Sequence, residues 1–307
     1  MASVDDRPSA SERHRIKRLL EPLRVEPGSK VELPGAFDPG YTGGYARKRD
    51  ADRDLARGMA GLAAYQDRLA AQRTHAVLLV LQALDAAGKD GTIKHVMSGV
   101  NPQGVSVHSF GPPSTEELRH DFLWRYLTRV PARGTIGIFN RSHYEEVLVV
   151  RVHPEHLDRQ GLPPEARSRH LWDRRFRAIN EFERSLVENG VHLVKLFLNL
   201  SREEQRRRFL DRIETPQKNW KFSGADARER VFWDDYQRVY AEMLSRTSTE
   251  WAPWHVIPAD HKWFARLAAA GALLHELMRI DPRYPEVAES ELAELRTARA
   301  ELEREAG

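Results

Sequence analysis

The sequence predicts an α/β fold in which a central parallel β-sheet of about five strands is flanked by helices and covered by a helical lid. Five apolar runs have the length of buried strands, and helix-like segments separate them, as expected for a parallel sheet. The first run also passes through a loop of small residues into a helix, which is typical of a phosphate site. With 307 residues, the chain is long enough to bury one large core.

The first strand and its loop span residues 77–94 and read VLLVLQALDAAGKDGTIK. Ala86, Ala87 and Gly88 allow backbone N–H groups to surround an anionic oxygen, because small side chains leave the backbone accessible. The helix that starts near Thr92 directs its positive end to the same point. The composition therefore predicts a phosphate-binding loop.

The match to the common G-x-x-x-x-G-K-[ST] pattern, the Walker A motif, is incomplete. Ala83 stands at the position of the first glycine, and Asp90 stands at the position of the metal-binding hydroxyl. Lys89 supplies the expected mobile positive charge. An ordinary strand-to-helix turn with a surface lysine is the alternative explanation of these residues.

The other elements follow from apolar spacing, capping signals and turn residues. A helix over residues 50–72 precedes the first strand. Residues 114–117 (STEE) have the form of a capping box and predict a helix of about four turns that ends near Arg129. The remaining strands are predicted at residues 105–110, 135–139, 191–200 and 255–258, and further helices at 171–188, from 202 onward and at 262–278.

The composition limits the possible functions. The 48 basic and 45 acidic residues give a formal net charge of +3, so the charge balance does not indicate a nucleic-acid partner. No apolar run reaches the length of a membrane span, and no apolar signal core follows the first methionine, so we expect a cytoplasmic protein without a membrane partner. The absence of cysteine excludes disulfides and thiol catalysis.

A polar cluster follows the third predicted strand directly. In open α/β sheets the ligand crevice lies outside the carboxyl ends of the strands, so this cluster is expected to face the phosphate loop. His143 is expected to be a hydrogen-bonded structural group rather than a catalyst. The cluster consists of Asn140, Arg141, Ser142, His143, Tyr144, Glu145 and Glu146.

A lid is predicted at about residues 202–230. Arg208 and Arg212 lie four residues apart on one face of its first helix. The following loop, TPQKNWKFSGAD, carries Lys218 and Lys221 on either side of Trp220, and a compact ammonium group suits phosphate binding. Trp220 either stacks on a nucleotide base or anchors the lid loop.

Several stretches together, and in order, resemble the polyphosphate kinase 2 family. The similarity runs from about residue 24 almost to residue 282, and several ordered motifs are far more specific than one Gly-Lys pair. The motifs are LDAAGKDGTIK at 84–94, HDFLWR at 120–125, FNRSHYEEVLVVRVHP at 139–154, EEQRRRFLDRIETPQKNWKFSGAD at 203–226, WDDY at 233–236 and APWHVIPADHKWFARL at 252–267.

The resemblance implies a P-loop kinase fold that transfers phosphoryl groups reversibly between inorganic polyphosphate and a nucleotide. The expected acceptors are AMP and ADP or their guanine equivalents, and the expected cofactor is Mg²⁺, with Mn²⁺ as a substitute. Asn140-Arg141, together with Glu145, resembles most the group that uses both AMP and ADP. Family members usually have aspartate at position 140 and glycine at position 83, so this chain departs from the pattern twice.

The implied organisation has three parts. Residues 1–50, which are polar and rich in Pro-Gly turns, form an extended N-terminal segment. Residues 51–282 form the P-loop kinase domain with its lid, and residues 283–307 form a charged helical tail. A homo-oligomer, either a dimer or a tetramer, is expected.

The resemblance also suggests roles for single residues. Asp85 would hold the magnesium ion directly or through water, Lys89 would bridge the transferred phosphate and its neighbour, and Arg141 would clamp the phosphoryl group. Asn140 would orient a metal-bound water or a phosphate, and Glu145 would serve as the second carboxylate near the metal. Arg208, Arg212, Lys218 and Lys221 would close from the lid, Lys94, Arg119 and Arg125 would extend a channel for the polymer, and Ala86, Ala87, Gly88, Asp90, Gly91 and Thr92 would complete the phosphate-binding set.

Each role has a structural alternative. Asp85 could cap the helix, Arg141 could form a structural ion pair, and Arg208 with Arg212 could be a solvated face, as could Arg119 with Arg125. For the whole chain, the nearest alternative is a nucleoside or nucleotide kinase that uses ATP as donor. The alternative from a different class is a non-catalytic binder of polyanions or nucleic acid.

Overall fold

The computed structural model describes residues 9–305 of the chain, except for the side chain of Lys221. The strands are β1 (Ala76–Ala83), β2 (Val105–Ser109), β3 (Ile136–Asn140), β4 (Val191–Asn199) and β5 (Trp254–Pro258). They form one sheet in the order β2-β3-β1-β4-β5, and all neighbouring strands run parallel. The predicted parallel α/β fold is therefore confirmed.

Helices connect these strands and cover both faces of the sheet. Within residues 9–305, none of them combines the length and the apolar character needed to cross a membrane. In chain order the described α-helices are α1 (Ala10–Leu20), α2 (Lys48–Gln72), α3 (Lys89–Val96), α4 (Trp124–Leu127), α5 (Val149–Val152), α6 (Pro154–Asp158), α7 (Leu171–Glu188), α8 (Arg202–Glu214), α9 (Gly224–Glu229), α10 (Trp233–Thr247), α11 (Lys262–Ile280) and α12 (Glu289–Glu305).

Each face of the sheet carries its own apolar core. Every residue of β1 is buried, and successive side chains of a strand point to opposite faces. Val77, Leu79 and Leu81 belong to the core that includes α2, α3 and α11. Leu78 and Val80 belong to the core that includes α7 and α10. Because β1 is buried on both faces, its sequence is a continuous apolar run.

The carboxyl ends of β1 and β3 lie side by side, with Leu81 paired to Asn140. The chain leaves β1 into α3, which packs into the first core through Ile93 and Val96. It leaves β3 toward α7, which packs into the core on the opposite face. Such a divergence opens a crevice at the ends of the two strands, and ligands bind in such crevices.

The four-turn helix predicted after residue 114 is wrong. Ser114 and Glu117 do form a reciprocal cap, because Ser114 N donates to Glu117 Oε2 (2.7 Å) and Glu117 N donates to Ser114 Oγ (3.2 Å). The cap leads into one 3₁₀ turn, Glu117–Arg119, after which the chain is extended at His120 (φ −107°, ψ 170°). The capping signal was correct, but the cap begins only a single turn. The short helix α4 follows as a separate element.

The N-terminal segment was expected from the sequence to be extended, and its described residues include a helix. Ser9 and Glu12 form a capping box that begins α1. Leu20, at the end of this helix, is only 4% exposed, and α1 packs against α11. Further along, Val25 N donates to the carbonyl of Trp254 on β5 (2.9 Å). These residues therefore pack as part of the main body, whereas the proposed domain boundaries stay a prediction.

We expect Leu20→Ala to reduce the free energy of unfolding by about 2–3 kcal/mol, because it removes buried methyl groups and leaves a cavity. The measurement is urea denaturation followed by circular dichroism. Leu295→Ala is the matched control, since Leu295 on α12 is 58% exposed and its truncation should change stability by less than about 0.5 kcal/mol. Equal effects of the two substitutions would show that α1 does not belong to the cooperative core.

Candidate active site

The loop between β1 and α3, residues 84–88, turns the chain tightly at the crevice. Ala86 (φ 65°) and Gly88 (φ 103°) both adopt the left-handed conformation before α3 begins. A left-handed alanine costs roughly 1–2 kcal/mol, so neighbouring contacts must hold it. The first N–H groups of α3 have no partner within the helix, and the positive end of the helix dipole lies at the same place. The loop therefore has the features of an anion site.

Lys89 is the first residue of α3, and its side chain folds back along the loop. Its Nζ donates to the carbonyl of Ala83 (2.8 Å) and lies 3.5 Å from that of Leu84. Burial, followed by the nearby charge of Arg141, lowers the pKa of Lys89. Backbone carbonyls thus fix the position of the ammonium group at the crevice.

Asn140 closes the crevice at the end of β3. Its Nδ2 donates to Asp90 Oδ1 (2.9 Å) and to Ser109 Oγ (3.3 Å). Its Oδ1 is buried and has no hydrogen-bond partner among the described residues. An aspartate at position 140 would face Asp90 with a second negative charge. The asparagine instead donates a hydrogen bond to Asp90.

Arg141 also has a left-handed backbone (φ 63°), and its guanidinium lies between two carboxylates. Nη2 is 3.1 Å from Asp85 Oδ1, and Nη1 is 3.7 Å from Glu145 Oε2. The charge of Glu145 is the largest of the effects that raise the pKa of Arg141. Burial raises the pKa of Glu145, although Arg141 opposes this shift. The ion pair considered in the sequence analysis is thus present, and it lies inside the crevice.

Two adjoining cavities open along this crevice. The loop cavity, about 690 Å³, contains Lys89, Asp90, Asn140, Arg212 and Trp220 in its wall. The aromatic cavity, about 510 Å³, contains Glu145, His153, Glu229, Trp233, Tyr236 and Tyr240 in its wall. Asp85, Pro112, Arg141 and Asp226 line both cavities. The ion pair between Asp85 and Arg141 therefore lies where the cavities meet.

The aromatic cavity has a polar rim as well as aromatic walls. Glu229 Oε1 accepts hydrogen bonds from Tyr236 Oη (2.6 Å) and His153 Nε2 (2.6 Å). Burial, followed by the bond to Glu229, raises the pKa of Tyr236, so the phenol stays protonated. Glu229 ends α9 in the lid region, whereas His153 and Tyr236 belong to the main body. These bonds connect the lid to the body at the rim of this cavity.

The residues of the loop cavity fit a magnesium ion that is bound together with phosphate. Mg²⁺ usually takes one or two carboxylates and completes its shell with water and substrate phosphates. Asp85 and Asp90 line the loop cavity, and the partnerless Oδ1 of Asn140 is an additional buried oxygen there. In the described part of the chain, no three acidic or histidine side chains form a metal cage. These few oxygen ligands suit a magnesium ion whose remaining ligands are water and the phosphate of the substrate.

Arg208 was predicted to close over the substrate from the lid, and the structure places its side chain in the interior. It is 3% exposed and lies beneath the loop. Its Nη1 donates to the carbonyls of Ala86 (3.0 Å) and Ala87 (2.9 Å), and Nη2 contacts the carbonyl of Asp260 (3.2 Å). Gln205, one turn earlier on α8, donates to the carbonyl of Asp85 (3.0 Å). In this structure, α8 therefore braces the phosphate loop through buried side chains.

Arg125, which was predicted to extend a channel for the polymer, is held by the segment after β2. Its Nη2 donates to the carbonyl of Gly111 (3.1 Å), and its Nε lies 3.2 Å from Glu117. The side chain is buried and lies against the rings of Phe110 and Tyr126. Arg125 therefore holds the segment after β2 rather than lining the loop cavity.

The remaining predicted residues divide by position. Asp85, Ala86, Gly88, Asp90 and Gly91 line the loop cavity with Arg212. Ala87 and Thr92 are buried behind the cavity, while Lys94 and Arg119 are exposed outside it, and Arg119 lies 3.4 Å from Glu116. Lys218 is exposed and pairs with Asp211 (2.8 Å). The side chain of Lys221 lies outside the described residues.

A group of buried polar residues, which was not predicted from the sequence, lies behind the site. Glu183 occurs where the apolar stripe of α7 continues, four residues after Ile179, and Lys195 interrupts the apolar run of β4. An ionisable residue at an apolar position of a regular pattern was the available signal, because such residues are buried only with a partner. Both side chains are fully buried and form an ion pair (2.6 Å).

Comparisons with known proteins agree with this geometry. Residues 45–285 match the family model of Polyphosphate kinase 2. The chain is 47% identical over 291 residues to the ADP-polyphosphate phosphotransferase of Rhodopseudomonas palustris, covering 94% of this chain and 99% of that protein. It is 43% identical over 268 residues to the AMP/ADP-polyphosphate phosphotransferase of Meiothermus ruber, covering 87% and 96%. The crystal structure of Polyphosphate Kinase 2 from Arthrobacter aurescens TC1 superposes with a TM-score of 0.80, at 41% identity, covering 89% of this chain and 94% of that one.

Glu145→Gln should raise the melting temperature at about pH 8 while reducing turnover. The raised pKa means that burial favours the protonated carboxyl in the folded state. The stability gained from the protonated form is complete below the unfolded pKa and is lost as pH rises through the folded pKa. The variant has no charge to bury, so its advantage over the parent protein should grow from about pH 4 to about pH 8.

Differential scanning calorimetry across this pH range, together with activity at each pH, tests this expectation. Glu203→Gln is the control, because Glu203 is exposed on α8 and its pKa is lowered through its bond to Arg206. If the melting temperature of Glu145→Gln stays below the parent value at all pH values, burial does not raise the pKa of Glu145 in the folded protein.

Proposed function

Because the chain belongs to the polyphosphate kinase 2 family, we propose that it transfers a phosphoryl group reversibly between inorganic polyphosphate and AMP or ADP. GMP and GDP are the guanine equivalents that the same site would take. The observation that carries the proposal is the pair of cavities that meet at Arg141 and Asp85. Two substrates that exchange one phosphoryl group need two binding sites with a common charged border.

The transfer requires little covalent chemistry from the protein. An oxygen of the terminal nucleotide phosphate attacks the terminal phosphorus of polyphosphate, a new P–O–P bond forms, and the old one breaks. The shortened polyphosphate leaves with the electron pair of the broken bond. The attacking oxygen is already anionic, so no general base is needed. Positioning and charge neutralisation are the contributions expected of the side chains.

The loop cavity suits the polyphosphate chain. Its wall includes Lys89 and Arg212, as well as the first turn of α3. Lys89 would contact the transferred phosphate, and Arg141, at the border, would contact it from the other side. Arg212 and Lys218 would follow the polymer along the lid, and exposed Trp220 lies at the edge of this cavity.

The aromatic cavity suits the nucleotide. Tyr236, Tyr240 and Trp233 line its wall, and contact between aromatic rings and a base is insensitive to which purine is present. The carboxylates of Glu155 and Glu229, which line this cavity and not the loop cavity, would repel a polyanion but can accept hydrogen bonds from ribose or an exocyclic amine. The charge pattern thus assigns the base and sugar to this side and the phosphates to the border.

A magnesium ion would be held by Asp85, with Asp90 and the Oδ1 of Asn140 orienting its water ligands. When bound, it neutralises the phosphate charge that builds up during transfer. Glu145 lines the aromatic cavity and not the loop cavity. In this proposal it fixes the guanidinium of Arg141, and Mn²⁺ is a substitute for Mg²⁺ with similar oxygen preference.

The purified protein should form ATP from ADP, Mg²⁺ and long-chain polyphosphate without any other donor, and it should form ADP from AMP in a separate assay. Lys89→Ala and Arg141→Ala should each reduce turnover at least about a hundredfold, because each removes a preorganised charge. Lys48→Ala, at an exposed lysine on α2, should leave turnover unchanged.

Each outcome of these assays separates the alternatives. Phosphorylation that occurs with ATP but not with polyphosphate would support an ATP-dependent kinase instead. Salt-sensitive nucleic-acid binding without transfer would support the polyanion binder. Near-normal turnover in a folded Lys89→Ala or Arg141→Ala variant would remove that residue from the mechanism.

Tyr236→Leu should raise the KM for AMP and ADP by about tenfold and leave the KM for polyphosphate unchanged, because it removes a ring face from the aromatic cavity. Tyr236→Phe keeps the ring and loses only the bond to Glu229, so it serves as the matched control with a smaller change in KM. Steady-state kinetics with each substrate varied in turn measure both constants. An increase confined to the KM for polyphosphate would reverse the assignment of the two cavities.

A further inference from the structure

The turn after β3 faces in two directions. Arg141 and Glu145 point into the cavities, whereas the residues between them are buried in the interior. Ser142 Oγ accepts a hydrogen bond from Gln82 Nε2 on β1 (2.9 Å). His143 and Tyr144 have no exposed surface. The orientation of the two cavity side chains is therefore coupled to what their buried neighbours contact.

Those neighbours contact a closed polar network built on an ion pair. Lys195 Nζ donates to Glu183 Oε2 (2.6 Å), to Tyr144 Oη (3.0 Å) and to the carbonyl of Thr247 (2.6 Å), which uses all three of its hydrogens. Tyr144 Oη in turn donates to Glu183 Oε1 (2.6 Å). The phenol thus joins the turn to both charges of the pair.

His143 adds a second link between the turn and the same carboxylate. Its Nε2 lies 3.1 Å from Glu183 Oε1. Burial lowers the pKa of His143, so the ring is neutral at ordinary pH and can donate its one proton from Nε2. Its Nδ1 is buried without a hydrogen-bond partner among the described residues, in agreement with that tautomer. Two consecutive residues of the turn are therefore tied to one carboxylate oxygen.

Stability alone does not account for this network. Removing two charges from water is costly, and an apolar pair of similar volume often gives equal or greater stability. What an ion pair with directional hydrogen bonds provides is a fixed geometry. The turn needs such support, because Arg141 is a left-handed residue without the freedom of glycine.

We propose that the buried Glu183–Lys195 pair is the positioning element of the site, acting through the Tyr144 hydroxyl to hold Arg141 and Glu145 in their catalytic orientation. The inference rests on the role proposed above for Arg141. None of the three buried residues touches substrate. They act on the reaction by keeping the guanidinium of Arg141 and the carboxylate of Glu145 at the border of the two cavities.

Tyr144→Phe is the sharpest test, because it keeps the ring, the direct bond between Lys195 and Glu183 and the contact of His143 with Glu183, and removes only the hydroxyl that joins the turn to both charges of the pair. We expect kcat to fall at least about tenfold, with the KM values for ADP and polyphosphate within about twofold of the parent values, since small displacements of positioned groups reduce turnover strongly. Tyr65→Phe, at an equally buried tyrosine on α2, removes the same hydroxyl on the opposite face of the sheet. It should leave kcat unchanged.

A double-mutant cycle distinguishes positioning from general damage. In a background that carries Arg141→Ala and Glu145→Gln, Tyr144→Phe should lose its effect on kcat, because the groups through which it acts are absent. A variant with Lys195→Met and Glu183→Leu, which removes both charges, provides a second measurement. It should remain folded by calorimetry and show the same loss of kcat.

The inference is overturned if folded Tyr144→Phe retains kcat within twofold, or if its effect is as large in the background without Arg141 and Glu145. Failure of the proposed function gives a different result. In that case Arg141→Ala itself would retain near-normal turnover, whatever the behaviour of Tyr144→Phe.

Discussion

The parallel pairing of β1 with β3 places the two halves of the site side by side. Register pairs Leu81 with Asn140, so the residues that follow each strand emerge at the same edge of the sheet. Arg141 N donates to the carbonyl of Leu81 (3.1 Å), which continues the pairing beyond β3. A shift of one residue would turn the alternating side chains to the wrong face. Backbone hydrogen bonds thus set the distance between Asp85 and Arg141.

Buried side chains then hold both halves from behind. Arg208 and Gln205 of α8 bind carbonyls of the loop after β1. On the opposite face, the pair of Glu183 and Lys195 binds the turn after β3 through Tyr144. Charges in such positions are costly unless every donor and acceptor is used. Buried charged side chains behind an active site agree with a kinase whose rate comes from fixed charges rather than covalent chemistry.

Two of the predicted site arginines have contacts that their spacing along the chain did not indicate, because one side chain could serve two purposes. The spacing of Arg208 and Arg212 placed both on the lid face, but only the fold shows that Arg208 reaches beneath the loop. Arg125 was predicted to line a polymer channel, and the fold shows that its guanidinium packs on the rings of Phe110 and Tyr126. An arginine side chain has a long apolar stem, so an arginine at one sequence position can have either a solvent-exposed or a buried guanidinium.

From the sequence alone, the five strands, the phosphate loop, the polar cluster after β3 and the family were all identified, because apolar periodicity and short motifs are local properties of the chain. The network behind Tyr144 and the two cavities that meet at Arg141 came from the folded chain. Their members lie far apart in sequence: Tyr144, Glu183 and Lys195 belong to the turn after β3, to α7 and to β4. Contacts across such separations are created by packing, and no local pattern encodes them.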